Sequence, residues 1–167
     1  MPPIKVSPMN PSQKKLIVQV ATKLSTLETE LNLIFPGRTH LVRASILALA
    51  SGQHVLMYGP PGTAKTLFIK TLLSAFPDAK IFNIMLTAQT APSHLIGTQI
   101  LRKLDDGEVD YNVGNSLVSC DFARVDEYGN GNDMTRVSLN TILHEGHFEY
   151  GMKTYPANLM TAFAATN

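Results

Sequence analysis

Apolar residues recur at helical spacing from about Ser12 to Leu33, through Leu16, Val20, Leu24, Leu27 and Leu31, with Ile17 and Ile34 flanking them. A period of three to four residues sets them on one face of an amphipathic helix, and the NPSQ sequence at Asn10 to Gln13 offers a cap. Met1 to Asn10 holds three prolines and little pattern, which predicts a loose arm. After Pro36-Gly37 the segment Thr39 to Ser51 reads as a second helix, closed by Gly52. Val55 to Tyr58 is then a short apolar run fit for a buried parallel strand. Leu67, Phe68, Leu72 and Phe76 continue as a helix that ends at Pro77-Asp78, and Lys80 to Ile84 returns as a strand, completing a βαβ unit. Met85 to Ser119 reads as an insertion in which Arg102 to Val113 alternates around Asp106-Gly107 like a hairpin. Cys120 to Asp126 is a further strand, Asp133 to Glu145 a helix, Phe148 to Tyr155 a second hairpin, and Leu159 to Thr166 a final buried strand. Strands alternating with helices predict an α/β fold of three layers, a parallel sheet covered by helices on both faces.

Composition narrows the function classes. A chain of 167 residues that is 44% hydrophobic is long enough for one domain with a sizeable core. Lys and Arg total 14 against 13 for Asp and Glu, giving a net charge of +1 without a basic run, so nucleic acid is not expected as a direct partner. The single cysteine, Cys120, cannot form an internal disulfide, and the N-terminus lacks a charged-then-apolar leader; a reduced, cytoplasmic setting is expected. Ser51, Gly52, Gln53 and His54 interrupt the most apolar region, so no stretch reaches the ~18 to 20 residues of a membrane span.

The chemistry concentrates in YGPPGTAKT, Tyr58 to Thr66. A triphosphate carries several negative charges, so its site must present many donors without side chains in the way. Gly59, Pro60, Pro61, Gly62, Thr63 and Ala64 form a loop whose glycines let backbone N–H groups curl around phosphate oxygens, while the helix starting near Lys65 points its positive end at them. Lys65 adds a point charge between the β and γ phosphates, and the Thr66 hydroxyl can coordinate Mg²⁺. Ala64 stands where the common pattern has glycine, and its methyl is tolerable if the residue keeps a negative φ and turns Cβ away. About sixty residues on, Asp126-Glu127 closes an apolar strand, at the sheet edge where ligands gather. There Asp126 would hold Mg²⁺ through its water shell, and Glu127 would polarise the water attacking the γ-phosphate. The last strand ends in Asn167, whose amide could hydrogen-bond the γ-phosphate or that water.

Together GPPGTAKT, the VDE strand end and FAATN resemble the AAA+ ATPases, which are P-loop NTPases, and in particular their MoxR group, RavA-like branch. GRTHLVRASILALASGQHVLMYGPPGTAKT is similar to that group's entry into the nucleotide site, PSHLIGTQILRKLDDGEVDYNVG to its insertion in the second helix of the core, and NTILHEGHFEYGMKTYP to its helix and hairpin after the acidic pair. The resemblance covers roughly Ile34 to Asn167 and implies that residues 11–167 form a nucleotide-binding core. It implies ATP and Mg²⁺ as cofactors, Lys65, Thr66, Asp126 and Glu127 in the roles above, and Asn167 as the sensor-1 residue. It further implies Asn83 as a restraint on the catalytic glutamate and adenine lying near Ile34 and Phe35. The group couples ATP hydrolysis in a ring to remodelling or maturation of a protein client, frequently with a von Willebrand factor A-type partner. Two other readings stay open, a nucleotide-dependent switch without turnover and a DNA-dependent motor. A fifth strand, an arginine finger and a lid domain do not follow Asn167, so this length is expected to be a fragment or one half of a divided protein and a poor ATPase alone.

Several residues carry blander readings. Arg124 interrupts an apolar strand and must pair with a carboxylate or reach the surface. His144 and His147 have the wrong spacing for a helical metal pair, Cys120 has no identifiable activating partner, and Lys14-Lys15 reads as a solvated helix face.

Overall fold

The computed structural model describes residues 9–100, 110–150 and 153–167. All but the last two residues of the expected N-terminal arm lie outside them. The chain divides into two compact units, one running to Ile46 and the other from Leu47 to Asn167.

In the first unit, helix α1 covers Pro11–Ile34. Asn10 caps it in a reciprocal box: its Oδ1 accepts from the Gln13 N–H at 2.7 Å, and the Gln13 Oε1 accepts from the Asn10 N–H at 2.9 Å. The apolar stripe is buried only toward its C-terminal end. Leu31 is 1% exposed, whereas Leu16 and Val20 are exposed within the chain, so the first turns of α1 carry an apolar face with nothing packed on it among the described residues. Helix α2, Thr39–Ser51, begins in this unit, and its Arg43 reaches Glu28 of α1 at 3.0 Å.

The second unit is built on four parallel strands, β1 (Val55–Tyr58), β2 (Ile81–Met85), β5 (Phe122–Asp126) and β8 (Thr161–Thr166), in the order β1-β8-β5-β2. Helix α3, Lys65–Leu73, links β1 to β2, and α5, Asp133–Glu145, follows β5. Between β2 and β5 lie the short helix α4 (Ser93–Ile96) and an antiparallel pair, β3 (Thr98–Ile100) with β4 (Asp110–Asn112). Of the first expected hairpin, Arg102 to Val113, only the second strand is matched, by β4; its partner β3 precedes the expected range, and the expected first strand and the turn at Asp106-Gly107 lie outside the described residues. The second hairpin pairs β6, His147–Tyr150, with β7, Lys153–Pro156.

β8 explains the order. Its residues Thr161 to Ala165 are all buried, the uniform burial of a strand with neighbours on both edges and helices over both faces. Alternation sends Ala162 and Ala164 of β8, with Ala123 and Val125 of β5, into a core shared with Leu139 and Ile142 of α5. The opposite face carries Phe122 and Phe163, and Phe76 packs on Phe122 with ring centroids 4.9 Å apart. β1 departs from the expected buried strand. Met57 is buried, but Leu56 and Tyr58 are 56% and 82% exposed, because β1 is the outermost strand on its side of the sheet.

His54 locks β8 to α5. The Ala162 N–H donates to its Nδ1 at 3.0 Å, so Nδ1 must be the acceptor, and Nε2, 2.9 Å from the Leu143 carbonyl, is the nitrogen that donates. One neutral tautomer therefore satisfies a strand start and a helix end together.

Cys120 is buried beneath the same core, and its thiol donates to the Leu117 carbonyl. Burial pushes the thiol up from 9.0 to about 11, with the Asp121 charge adding in the same direction. The native state thus keeps this proton where the unfolded chain loses it, and the associated stabilisation is complete below pH 9.0 and lost as pH rises toward 11. Ellman's reagent near pH 8 should label Cys120 in the native protein at least about tenfold more slowly than in urea, and equal rates would show the thiol to be accessible.

Candidate functional site

The C-terminal ends of β1, β5 and β8 meet at one edge of the sheet, and a cleft of about 270 Å³ opens there. It is lined by Pro61 to Leu67 from the loop and first turn of α3, by Asp126 and Glu127, and by Ala165 to Asn167. Parallel register makes this inevitable: Met57 pairs with Ala165, Val125 with Ala164, and each strand then stops within two residues.

Lys65 is the first residue of α3, and its ammonium contacts three oxygens: the Gly59 carbonyl at 2.6 Å, the Pro60 carbonyl at 3.0 Å and the Asn167 Oδ1 at 2.8 Å. The Thr63 hydroxyl donates to the Pro60 carbonyl at 2.8 Å and braces the same loop. One expectation fails here. Ala64 does not keep a negative φ; it takes φ 59° and ψ 24°, the left-handed region. The chain must reverse between the loop and the first turn of α3, and the turn that achieves it needs positive φ at Gly62 and at Ala64.

Across the cleft the Thr66 hydroxyl donates to Asp126 Oδ1 at 3.0 Å, so the two residues expected to serve a cation are already together. Asp126 is 6% exposed, and its second oxygen, Oδ2, lies 3.1 Å from the Arg124 Nε. Of the two fates open to Arg124, pairing is the one observed, and the partner is Asp126 itself.

Glu127 begins the turn after β5 in a left-handed conformation, φ 55° and ψ 43°. Its Oε2 accepts from the Asn130 Nδ2 at 3.0 Å, and its carbonyl accepts from the Asn130 N–H at 2.9 Å. The turn is tied in addition to β8, since the Gly129 N–H donates to the Thr166 Oγ1 at 3.1 Å. A Cβ at Gly129 would stand 2.7 Å from that hydroxyl, so only glycine allows the approach.

Asn83, singled out from the sequence, lies outside the cleft lining. Asn83 sits on β2 in register with Arg124, and its amide donates to the Ile81 carbonyl at 3.3 Å, with no hydrogen bond to Glu127. Ile34 and Phe35 belong to the first unit, where Ile34 is exposed and Phe35 buried. Asn130 and Thr166 were not singled out from the sequence. The spacing of Asn130 three residues beyond Glu127, across a Gly-containing turn, is the signal that could have found the first.

A family model for the MoxR domain in the MoxR-vWA-beta-propeller ternary systems matches residues 22–167, most of the chain. The chain belongs to this MoxR family. As a MoxR domain it is 29% identical over 140 residues to the chaperone MoxR1 of Mycobacterium tuberculosis, a match covering 82% of this chain and 36% of the relative. It is 27% identical over 155 residues to the structural protein ORF618 of Acidianus two-tailed virus, covering 90% of this chain and 25% of that protein. A crystal structure from Cytophaga hutchinsonii, provisionally described as an ATPase, superposes with a TM-score of 0.70 at 26% identity, over 93% of this chain and 46% of its own. The chain thus spans about a quarter to a half of the length of these proteins, and its fold is that of an α/β P-loop ATPase domain. No helix among the described residues is long and apolar enough to cross a membrane.

The donor set of this MoxR domain fits a nucleotide and a magnesium ion. The Lys65 ammonium already sits among oxygens, as it would among phosphate oxygens, at the start of a nine-residue helix whose first three residues line the cleft. Thr66 and Asp126 offer hard oxygen ligands, and Mg²⁺ characteristically takes one or two such protein ligands together with substrate phosphates and water.

The left-handed Ala64 supplies a direct test of the loop geometry. Left-handed φ costs a non-glycine residue ~1 to 2 kcal/mol, whereas glycine costs ~0.4 to 1 kcal/mol through the unfolded chain. Ala64→Gly should therefore raise unfolding free energy in urea by about 0.5 to 1 kcal/mol; a loss of that size would place Ala64 at negative φ instead.

Proposed function

We propose that this MoxR domain binds ATP with Mg²⁺ and hydrolyses it, and that hydrolysis serves remodelling or maturation of a partner protein. The observation that carries the reading is the convergence of Lys65, Thr66, Asp126, Glu127 and Asn167 on one cleft from three strand ends. Each would do a separable task. Lys65 would exchange loop carbonyls for β- and γ-phosphate oxygens. Thr66 and Asp126 would hold the cation, whose chemistry when bound is to offset charge on the phosphates. Glu127, released from or reoriented on Asn130, would take a proton from a water aimed at the terminal phosphate. Asn167, whose Oδ1 holds Lys65, has an amide N–H₂ able to donate to that phosphate or that water.

The family description pairs MoxR with vWA and β-propeller components, which supports a von Willebrand factor A-type partner for this chain. A homo-oligomeric ring belongs to the same proposal by resemblance. A net charge of +1 gives a DNA-dependent motor no electrostatic support.

Titration calorimetry with Mg-ATP should detect binding that Lys65→Ala weakens by at least about tenfold, the loss of one charged contact to phosphate. Equal affinity in the two proteins would reject the loop as the site. Glu127→Gln in the intact protein should retain ATP while turnover falls by about 10² to 10⁴, the usual contribution of a positioned general base. Undiminished hydrolysis by that variant would remove Glu127 from the chemistry.

A further inference from the structure

β5 carries an arginine inside a run of buried apolar residues. Ala123 and Val125 on either side of it are 0% exposed, and the Arg124 side chain itself is only 19% exposed. Residues two apart on a strand share a face, so Arg124 and Asp126 stand side by side. The ion pair is close, 3.1 Å from Nε to Oδ2, yet it is not a directed hydrogen bond: the buried Nε–H has no aligned acceptor. The guanidinium has no other ion pair or hydrogen bond among the described residues. Meanwhile Asp126 Oδ1 accepts from Thr66, so the carboxylate has one oxygen on the loop side and one on the arginine.

Stability does not explain this arrangement. Desolvating an ion pair costs about as much as the attraction returns, and apolar replacements are commonly neutral or better. What the pair does alter is the charge at the residue assigned above to the cation. A nucleotide's phosphate tail entering without metal would otherwise meet an uncompensated carboxylate, and a divalent cation would otherwise find both oxygens unopposed.

We propose that Arg124 is the resident counter-ion of Asp126. It neutralises the carboxylate when no divalent cation is present, which lets the phosphates approach, and it competes for Oδ2 when a cation arrives, which weakens cation binding. Both effects reduce the energetic coupling between nucleotide and Mg²⁺. The inference rests on the reading of the cleft as a nucleotide site; Arg124 acts through Asp126 and is a positioning residue.

ADP is the probe, since it reports binding without turnover. Its affinity is measured by titration calorimetry in Mg²⁺ and in EDTA for the intact protein and for Arg124→Met, which keeps an unbranched stem without charge, Arg124→Gln, Arg124→Lys and Lys65→Ala. In Arg124→Met and Arg124→Gln, affinity in EDTA should fall, and the ratio of affinities with and without Mg²⁺ should widen by at least roughly tenfold, the scale of one unit charge a few ångströms away under water-like screening. Arg124→Lys should restore the ratio toward wild type. A merely structural role would weaken both affinities alike, so an unchanged ratio in whichever neutral variant folds overturns the proposal, as does Arg124→Lys behaving like the neutral variants. Should Lys65→Ala bind ADP as well as wild type, the nucleotide reading itself falls; loss of binding there with an unchanged Arg124 ratio rejects the counter-ion role alone.

Discussion

The ammonium of Lys65 is surrounded by oxygen, and its three oxygen partners come from two parts of the fold. Gly59 and Pro60 open the loop after β1 and Asn167 directly follows β8, while Lys65 itself starts α3. One charge thereby fixes where the loop turns, how α3 leaves it and where the last strand stops. Moving any one of the four groups breaks a hydrogen bond to the charge, and two of those bonds, to Pro60 and Asn167, lie at the exposed side of the cleft. The loop is consequently ordered by the chain's own charge, and that ordering does not have to be supplied when a ligand arrives.

The sheet makes the same point at larger scale. Asp126 and Asn167 face a common cleft because β5 and β8 run parallel, with Arg124 opposite Phe163 and Val125 opposite Ala164. Reversing either strand would send its terminal residue to the opposite edge, some five residues away at ~3.3 Å each. The small side chains of Ala162 and Ala164 suit β8 to its place between β1 and β5, beneath Leu139 and Ile142. Packing that looks purely structural is therefore what brings an acid, an amide and a lysine to one cleft.

Much of this was legible in the residues alone, for identifiable reasons. The βαβ unit, the helix Asp133–Glu145 and the uniform apolar run ending in Asn167 announce themselves through period and punctuation, which are local signals. GPPGTAKT and the Asp126-Glu127 pair are legible because their chemistry requires fixed spacing. What escaped depends on contacts between distant segments. Nothing near Leu16 or Val20 indicates that α1 leaves them exposed, and nothing near Leu56 tells that β1 is an outer strand. The sign of φ at Ala64 is decided by how the loop must turn into α3, and a methyl group discourages but does not forbid it. For Arg124 the sequence narrowed the outcome to pairing or exposure, and the alternation of β5 then selected Asp126.

Two non-glycine residues among those described take positive φ, Ala64 and Glu127, and both line the cleft. Conformations of this kind persist where surroundings over-determine them, and the surroundings of Glu127 can be named. Asn130 holds both its carbonyl and its carboxylate, and Gly129 anchors the turn to Thr166. Thr166 immediately precedes Asn167, whose side chain accepts from Lys65. The turn that presents the carboxylate and the lysine that faces it are thus fastened to consecutive residues of one strand end. A backbone displacement of Asn167 that carried Thr166 with it would pull on the bond to Gly129, so movement of this strand end reaches the turn that presents the acid.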